Sequence, residues 1–467
     1  MAASKKKRSG RTLFALGLGY LIDQGEAQSM GVLSPIIQSL WGVSFGMIGL
    51  METLRNITQT ISAPFWGYIS DRFSRKRVLI FGTGVWGLWT IAVGLVPGFT
   101  SMLIIRAISG LGLGCLMPAT FSLLGDHFPQ ARRGRALGVI GLVGLLGTVF
   151  GVLALGFVAN PEQWRWGFIG LGIASVLSGV FIWLLVDEPP RGAAEPELAN
   201  LITHADEKRY QINVKDMLST LRIPTIWAAI LQGVTGSMPW VVMGIYLINW
   251  MVRELGYSNA ISFSDPAGSA PLVFAIVGIS AAFINLLGGI IGDYAEKLIP
   301  HYGRTIIGQF SVFAGVPLMY IFITQAKNMS FWGVFGFASF TALLIGWPGR
   351  GAKEPMMQAV VPPEMRSSAY SVVNFVEGGL SAFSSLIAGW LADSLGLTQA
   401  LLWTIPFPWI ICGIFFTLFY FTYPKDAQRV RLSMAKRREE LLAAHAANQA
   451  SVEPAPSSSI PPNPIAD

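Results

Sequence analysis

Gly67-Tyr68-Ile69-Ser70-Asp71-Arg72-Phe73-Ser74-Arg75-Lys76-Arg77 closes one long apolar stretch and leads into the next. A carboxylate and four cations in so short a run are costly in hydrocarbon but tolerated at the membrane boundary. Gly67, lacking a side chain, lets two helices approach closely just inside that boundary. The G-x-x-x-D step returns as Gly289-Ile290-Ile291-Gly292-Asp293, again where an apolar stretch ends. Farther on, Phe128-Pro129-Gln130-Ala131-Arg132-Arg133 finds a counterpart in Val361-Pro362-Pro363-Glu364-Met365-Arg366. The offset between the copies grows from 222 to 233, which an insertion near 296–302 absorbs. A six-span unit has been duplicated.

Composition agrees. Of 467 residues, 52% are hydrophobic and only 13% charged, against about a quarter charged in a soluble domain. That excludes a secreted, disordered or nucleic-acid-binding protein. A helix crossing ~30 Å of hydrocarbon needs ~20 apolar residues. Twelve windows supply them: 13–38, 45–70, 78–97, 101–125, 136–158, 165–186, 225–252, 271–293, 304–325, 330–357, 367–392 and 399–423. Lys5, Lys6, Lys7, Arg8 and Arg11 precede a first window longer than a signal-peptide core, so it is expected to stay as a span. Twenty-six of the 33 Lys and Arg fall on the side of the termini, three (Arg165, Arg253 and Lys327) opposite, and four inside spans. The positive-inside rule then puts both termini in the cytoplasm, with the chain in a plasma (inner) membrane.

The expected fold is an all-α membrane protein of twelve transmembrane helices in two pseudo-symmetric six-helix bundles. Residues 1–186 form the first bundle, 187–222 a polar cytoplasmic linker with Pro189, Pro190 and Pro196, and 223–424 the second bundle. Residues 425–467 form a basic helix, expected along the membrane surface, followed by a disordered Ser/Pro-rich tail. Cys115 and Cys412 lie far apart in apolar stretches, which argues against a disulfide framework.

Ionisable side chains inside the bilayer cost at least ~2.5–3.5 kcal/mol each at its centre, so each needs a partner, a wet cavity or a function. Here they are Asp23, Glu26, Glu52, Arg55, Arg106, Arg350, Lys353, Glu354 and Glu377. At ~1.5 Å per residue, Glu26 lies ~22 Å beyond Arg11 and Arg55 ~24 Å from Asp71, so these two share a depth and are expected to be able to pair. Glu52 and Arg55, three apart on one helical face, read as a structural pair. Arg350, Lys353 and Glu354 share their span with Pro348, Gly349, Gly351 and Pro355, and broken helix beside charge is a binding-site signature. Arg106, Arg350 and Lys353 are candidate substrate or gating charges, with Gln232, Trp240, Glu377 and Asn374 as further binding candidates. All four histidines fall in cytoplasmic segments. Asp23, Glu26 and Glu354 are therefore the candidate proton carriers.

The run from Gly67 to Arg77 resembles the loop signature of the major facilitator superfamily, and it sits between spans 2 and 3 as that family has it. Arg106-Ala107-Ile108-Ser109-Gly110-Leu111-Gly112 is similar to the family's second motif, and the Gly-rich stretch 138–156 to its third. The resemblance covers 12–424. It implies that spans 1, 4, 7 and 10 line a central cavity. It also implies that Asp71, within the gating motif of Gly67, Asp71, Arg72, Arg75 and Lys76, meets a helix N-terminus of the other half and latches the cytoplasmic side. Gly289 and Asp293 are the motif's second copy. A narrower resemblance to the Spinster-like branch rests on the same run, on Val96-Pro97-Gly98 and on Asp187-Glu188-Pro189-Pro190-Arg191-Gly192. The chain departs from that branch in having Asp23-Gln24 where the branch tends to have Asp-Arg, and Leu113 in place of its span 4 Glu.

Gly42-Val43-Ser44-Phe45-Gly46 fits the letters of a nucleophile elbow but lacks a strand–turn–helix setting and a histidine on its side of the membrane. No phosphate-binding G-x-x-x-x-G-K-[ST] or Cys/His metal spacing occurs, so neither an enzyme nor a cofactor or metal site is expected. The expected function is secondary active transport by alternating access. Three intramembrane cations among walls such as Met117, Met238, Trp240, Trp347 and Met356 favour an amphipathic anion, and the Spinster resemblance points to lysolipid-like substrates. A proton is the expected coupling ion and a monomer the expected state. Import or drug export of another small organic solute, or a receptor without flux, are the alternatives.

Overall fold

The computed structural model describes residues 2–72, 74–128, 130–189, 219–261, 268–346, 349–362 and 365–452. These residues are helical apart from turns, short coil segments and one isolated bridge between Ser258 and Ser269. Nine helices among them are long and apolar enough to cross a membrane. The first, second and tenth expected spans fall short of that standard, the tenth because its apolar helix Phe331–Ile345 is only 15 residues long. With them the chain forms twelve spans.

Breaks within the spans gather where polar groups lie. Span 1 comprises Ala2–Glu26 and Ser29–Trp41, separated by a turn, rather than one continuous window. Span 2 is Phe45–Arg72. Span 3 starts at Arg75, where Ser74 caps the helix by accepting from the Arg77 N–H, and passes through a π-helical turn at Ile80–Val85. Span 4 breaks between Phe99–Leu113 and Leu116–His127. Gln130–Phe157 and Trp164–Leu185 complete the first half as spans 5 and 6. In the second half, spans 7, 8 and 9 are Pro224–Glu254, Ala270–Leu298 and Gly303–Gln325. Span 10 is Phe331–Ile345, a π-helical turn at Gly349–Lys353 and the short helix Glu354–Ala359. Span 11 is Arg366–Ser381 with Phe383–Leu395, and span 12 is Leu397–Thr404 with Pro406–Val452.

That last helix corrects one expectation: residues 425–452 continue span 12 in a single 47-residue helix instead of forming a separate surface segment. Asp426, buried, fixes its position by accepting from the backbone N–H (3.1 Å) and hydroxyl (2.7 Å) of Thr225, in the first turn of span 7. Of the linker, 190–218 lies outside the described residues, as do 453–467.

Lipid is as apolar as a leucine side chain, so helices in it associate through close packing of small residues and through hydrogen bonds. Spans 1 and 5 do this at Gly25, where a Cβ would stand 3.3 Å from both the Gly147 carbonyl and the Gly151 Cα. The two halves meet along spans 2 and 11, which run antiparallel. Thr53 donates to the Ala382 carbonyl (2.9 Å) and shares a hydrogen bond with Ser385 (2.7 Å), and Thr60 reaches Gly378. The two helices then part: a Cβ on Gly67 would meet nothing within 4 Å.

Candidate substrate cavity and ion sites

Among the described residues, the halves are tied by hydrogen bonds at the end remote from the termini. There Asp393, near the end of span 11, accepts from the Phe45 and Gly46 N–H groups (2.8 Å each) at the start of span 2. Those N–H groups have no partner within their own helix, and their dipoles favour an anion. Tyr246 of span 7 joins in, donating to the Phe45 carbonyl (3.0 Å) and the Ser385 carbonyl (2.9 Å). Arg253 donates to Gln38 (3.1 Å) and lies over the Phe45 ring (4.9 Å). Sequence reasoning missed this latch. Its signal was available, because Gly389-Trp390-Leu391-Ala392-Asp393 is another G-x-x-x-D at a span end.

At the opposite end stands the expected gating motif. Phe73 and the side chains of Asp71 and Arg72 lie outside the described residues. Gly67 and Gly289 touch no neighbouring helix, contrary to the close approach expected of the first. In the second copy that role falls to Gly292, whose Cβ would overlap the Gly351 backbone. Asp293 pairs with Arg304, which also donates to the Gly351 carbonyl (2.9 Å). Arg75 is buried within its own half, donating to Ser122 (3.2 Å) and the Pro189 carbonyl (2.9 Å) beside Glu188 (3.5 Å). Lys76 is half-buried.

The first half seals its cations. Arg106 has no exposed surface and donates to Glu52 through Nη2 (2.5 Å) and Nε (3.1 Å), and to Ser29 through Nη1 (3.1 Å). Arg55 stands 3.9 Å from Glu52 and donates to Asn56 (3.2 Å). Arg55 therefore pairs with Glu52 and not with Glu26. Arg106, expected as a substrate or gating charge, is a buried member of the same cluster and is not on the wall of the large cavity described below. Asp23 and Glu26 are brought together instead in a small chamber of about 10 Å³, with Thr83, Thr90, Ser109 and Ser175 also on its wall.

The second half holds its charges in the open. A cavity of about 560 Å³ is framed by spans 7 to 12, with Gln28, Leu145 and Thr148 contributed by the first half. Lys353, Glu354, Glu377, Gln232 and Trp240 line it. Lys353 and Glu377 pair at 2.5 Å and remain partly accessible. Gly233 makes room for them, since a Cβ there would lie 2.6 Å from the Lys353 Nζ. The walls running away from this pair are apolar: Met243, Met251, Phe274, Met319 and Phe322. Gly233 and Met251 are ~27 Å apart along span 7, so the cavity is charged at one end and apolar at the other. Met356 is buried away from that wall, and Asn374 bonds to the Tyr370 carbonyl (2.8 Å) outside it. Trp347 and the Arg350 side chain lie outside the described residues.

The profile of the Major Facilitator Superfamily matches residues 16–352. Among curated proteins, the chain is 25% identical over 383 residues to protein spinster homolog 1 of Mus musculus, covering 78% of this chain and 69% of that one. It is 24% identical over 430 residues to the sphingosine-1-phosphate transporter SPNS2 of Danio rerio, covering 86% and 82%. Among solved structures it is similar to a bacterial homolog of the human lysosomal transporter Spinster in an inward-facing and occupied conformation. The TM-score there is 0.73 at 18% identity, with 89% and 97% of the chains covered.

Proposed function

The chain belongs to the major facilitator superfamily of transporters, and from that premise we propose that it moves an amphipathic, lysolipid-like anion by proton-coupled alternating access. The cavity that is charged at one end and apolar at the other carries this reading. A headgroup anion takes Lys353, and an acyl-like tail lies along Met243, Phe274 and Met319. Because Glu377 already neutralises Lys353, anion binding calls for a proton on that side of the cavity, with Glu354 and Glu377 as acceptors. Substrate and proton then travel as a neutral set, which lowers the cost of carrying charge through hydrocarbon. Asp23 and Glu26 are the proton carriers of the first half. Both termini face the cytoplasm in this scheme, a single chain suffices, and the Asp71 motif latches the cytoplasmic face when the Asp393 latch opens. The relatives named for Spinster and for sphingosine-1-phosphate transport support the substrate class.

The test is flux in proteoliposomes with and without a pH gradient, for lysolipids against sugars and cationic drugs. Lys353→Met is expected to abolish lysolipid flux while changing the melting temperature little. Unaltered flux in that variant removes Lys353 from the binding site.

A further inference from the structure

Charge in the first half does not balance at mid-membrane. Asp23, Glu26 and Glu52 are set against Arg55 and Arg106 only. Fully ionised, that set is one positive charge short. Arg106 and Arg55 are both directed to Glu52, as shown above, and neither the Asp23 nor the Glu26 carboxylate hydrogen-bonds to a described residue. The deficit sits at the chamber these two carboxylates border.

The rest of that chamber is built from oxygen. Thr83, 6% exposed, has a hydroxyl with no hydrogen-bond partner. It lies on the π-helical turn of span 3, where the altered register leaves side chains and carbonyls outside the ordinary helical pattern. Ser175 spends its proton on the Thr83 carbonyl (2.7 Å) and Ser109 on the Arg106 carbonyl (2.8 Å), so both hydroxyl oxygens keep lone pairs free. The volume of about 10 Å³ admits one water-sized occupant. We infer that this chamber is a binding site for one small monovalent metal cation, sodium, held by Asp23, Glu26 and the Thr83 hydroxyl. An all-oxygen set suits a hard cation. A single positive charge neutralises the cluster, whereas a divalent ion would overshoot it. A proton on either carboxylate achieves the same neutrality, so sodium and protons compete. Besides Glu26, Arg55 is the ionisable group that acts on Asp23 from the packed spans, and Asp23 in turn acts on the Cys115 thiol. The inference rests on the reading of Asp23 and Glu26 as coupling carboxylates and names a second ion for them.

Equilibrium binding of radioactive sodium to the full chain in lipid nanodiscs, without substrate, tests it. One sodium per chain is expected in alkaline buffer, displaced by acid but not by choline. Thr83→Val is expected to raise the half-saturating concentration about tenfold while leaving the melting temperature in choline chloride unchanged. Asp23→Asn is expected to abolish binding. Absence of sodium binding to the unmodified chain in alkaline buffer, or unchanged affinity in both variants, overturns the inference. Proton-driven flux distinguishes this failure from that of the transport reading. Flux that persists without sodium binding leaves the transporter intact and sinks the sodium site. Sodium binding without flux of any solute does the reverse.

Discussion

The two halves of this molecule carry similar ion pairs and expose them differently. Glu52 and Arg106 in the first half are 4% and 0% exposed, whereas Lys353 and Glu377 in the second are 12% and 18% exposed. Each pair joins a carboxylate to a cation at 2.5 Å. What differs is access to water. A sealed pair, with Arg106 donating to Ser29 as well, fixes the positions of three spans. A pair bordering a cavity can exchange a partner for a ligand. Duplication supplied two similar frameworks, and only one of them opens its ion pair onto a large cavity.

The sharpest way to break this contrast is to remove the sealed cation of the first half. Arg106→Leu leaves Glu52 buried without its main partner, a loss of about 3–5 kcal/mol, and should appear as a large fall in melting temperature or in yield of folded protein. If Arg106→Leu melts like the unmodified chain, the pair is not sealed. Asp393→Asn comes next. It removes the charge from the cap on span 2, worth up to about 2 kcal/mol when partly buried, or roughly thirtyfold in the population open at the remote face. Alkylation of a cysteine placed at Ile48, in a chain lacking Cys115 and Cys412, should speed up accordingly. An unchanged rate removes Asp393 from the latch. Gly233→Ala is expected to act least, because its added methyl crowds only the flexible ends of Lys353 and Glu377, at about 1 kcal/mol. Its clearer effect should be weaker substrate-induced thermal shift, and an unaltered shift would mean that the pair has slack.

Much of the frame was legible in sequence. The start of span 2 at Phe45 and the broken tenth span came directly from apolar runs and from Pro348, Gly349 and Pro355. The break after Glu26 did not, because no Gly or Pro pair marks Ala27 and Gln28. Site residues were harder for a geometric reason. Counting residues gives depth along a helix but not the direction a side chain takes around it. Glu26 and Arg55 share a depth, yet Glu26 turns toward spans 3 and 6 and Arg55 toward Glu52. Arg106 looked like a free cation because its partner lies 54 residues away in sequence. Thr83 gave no signal at all, since one hydroxyl in an apolar run becomes notable only when its neighbours fail to bond to it.

The long helix that leaves the membrane after span 12 works as a lever arm. From Tyr423 to Val452 it extends ~44 Å, and Asp426 clamps its base to span 7. A tilt of the second half by ~10° would sweep the tip through about 8 Å at that length. A spectroscopic probe near its far end would thus magnify a rocking motion that is small at the cavity itself.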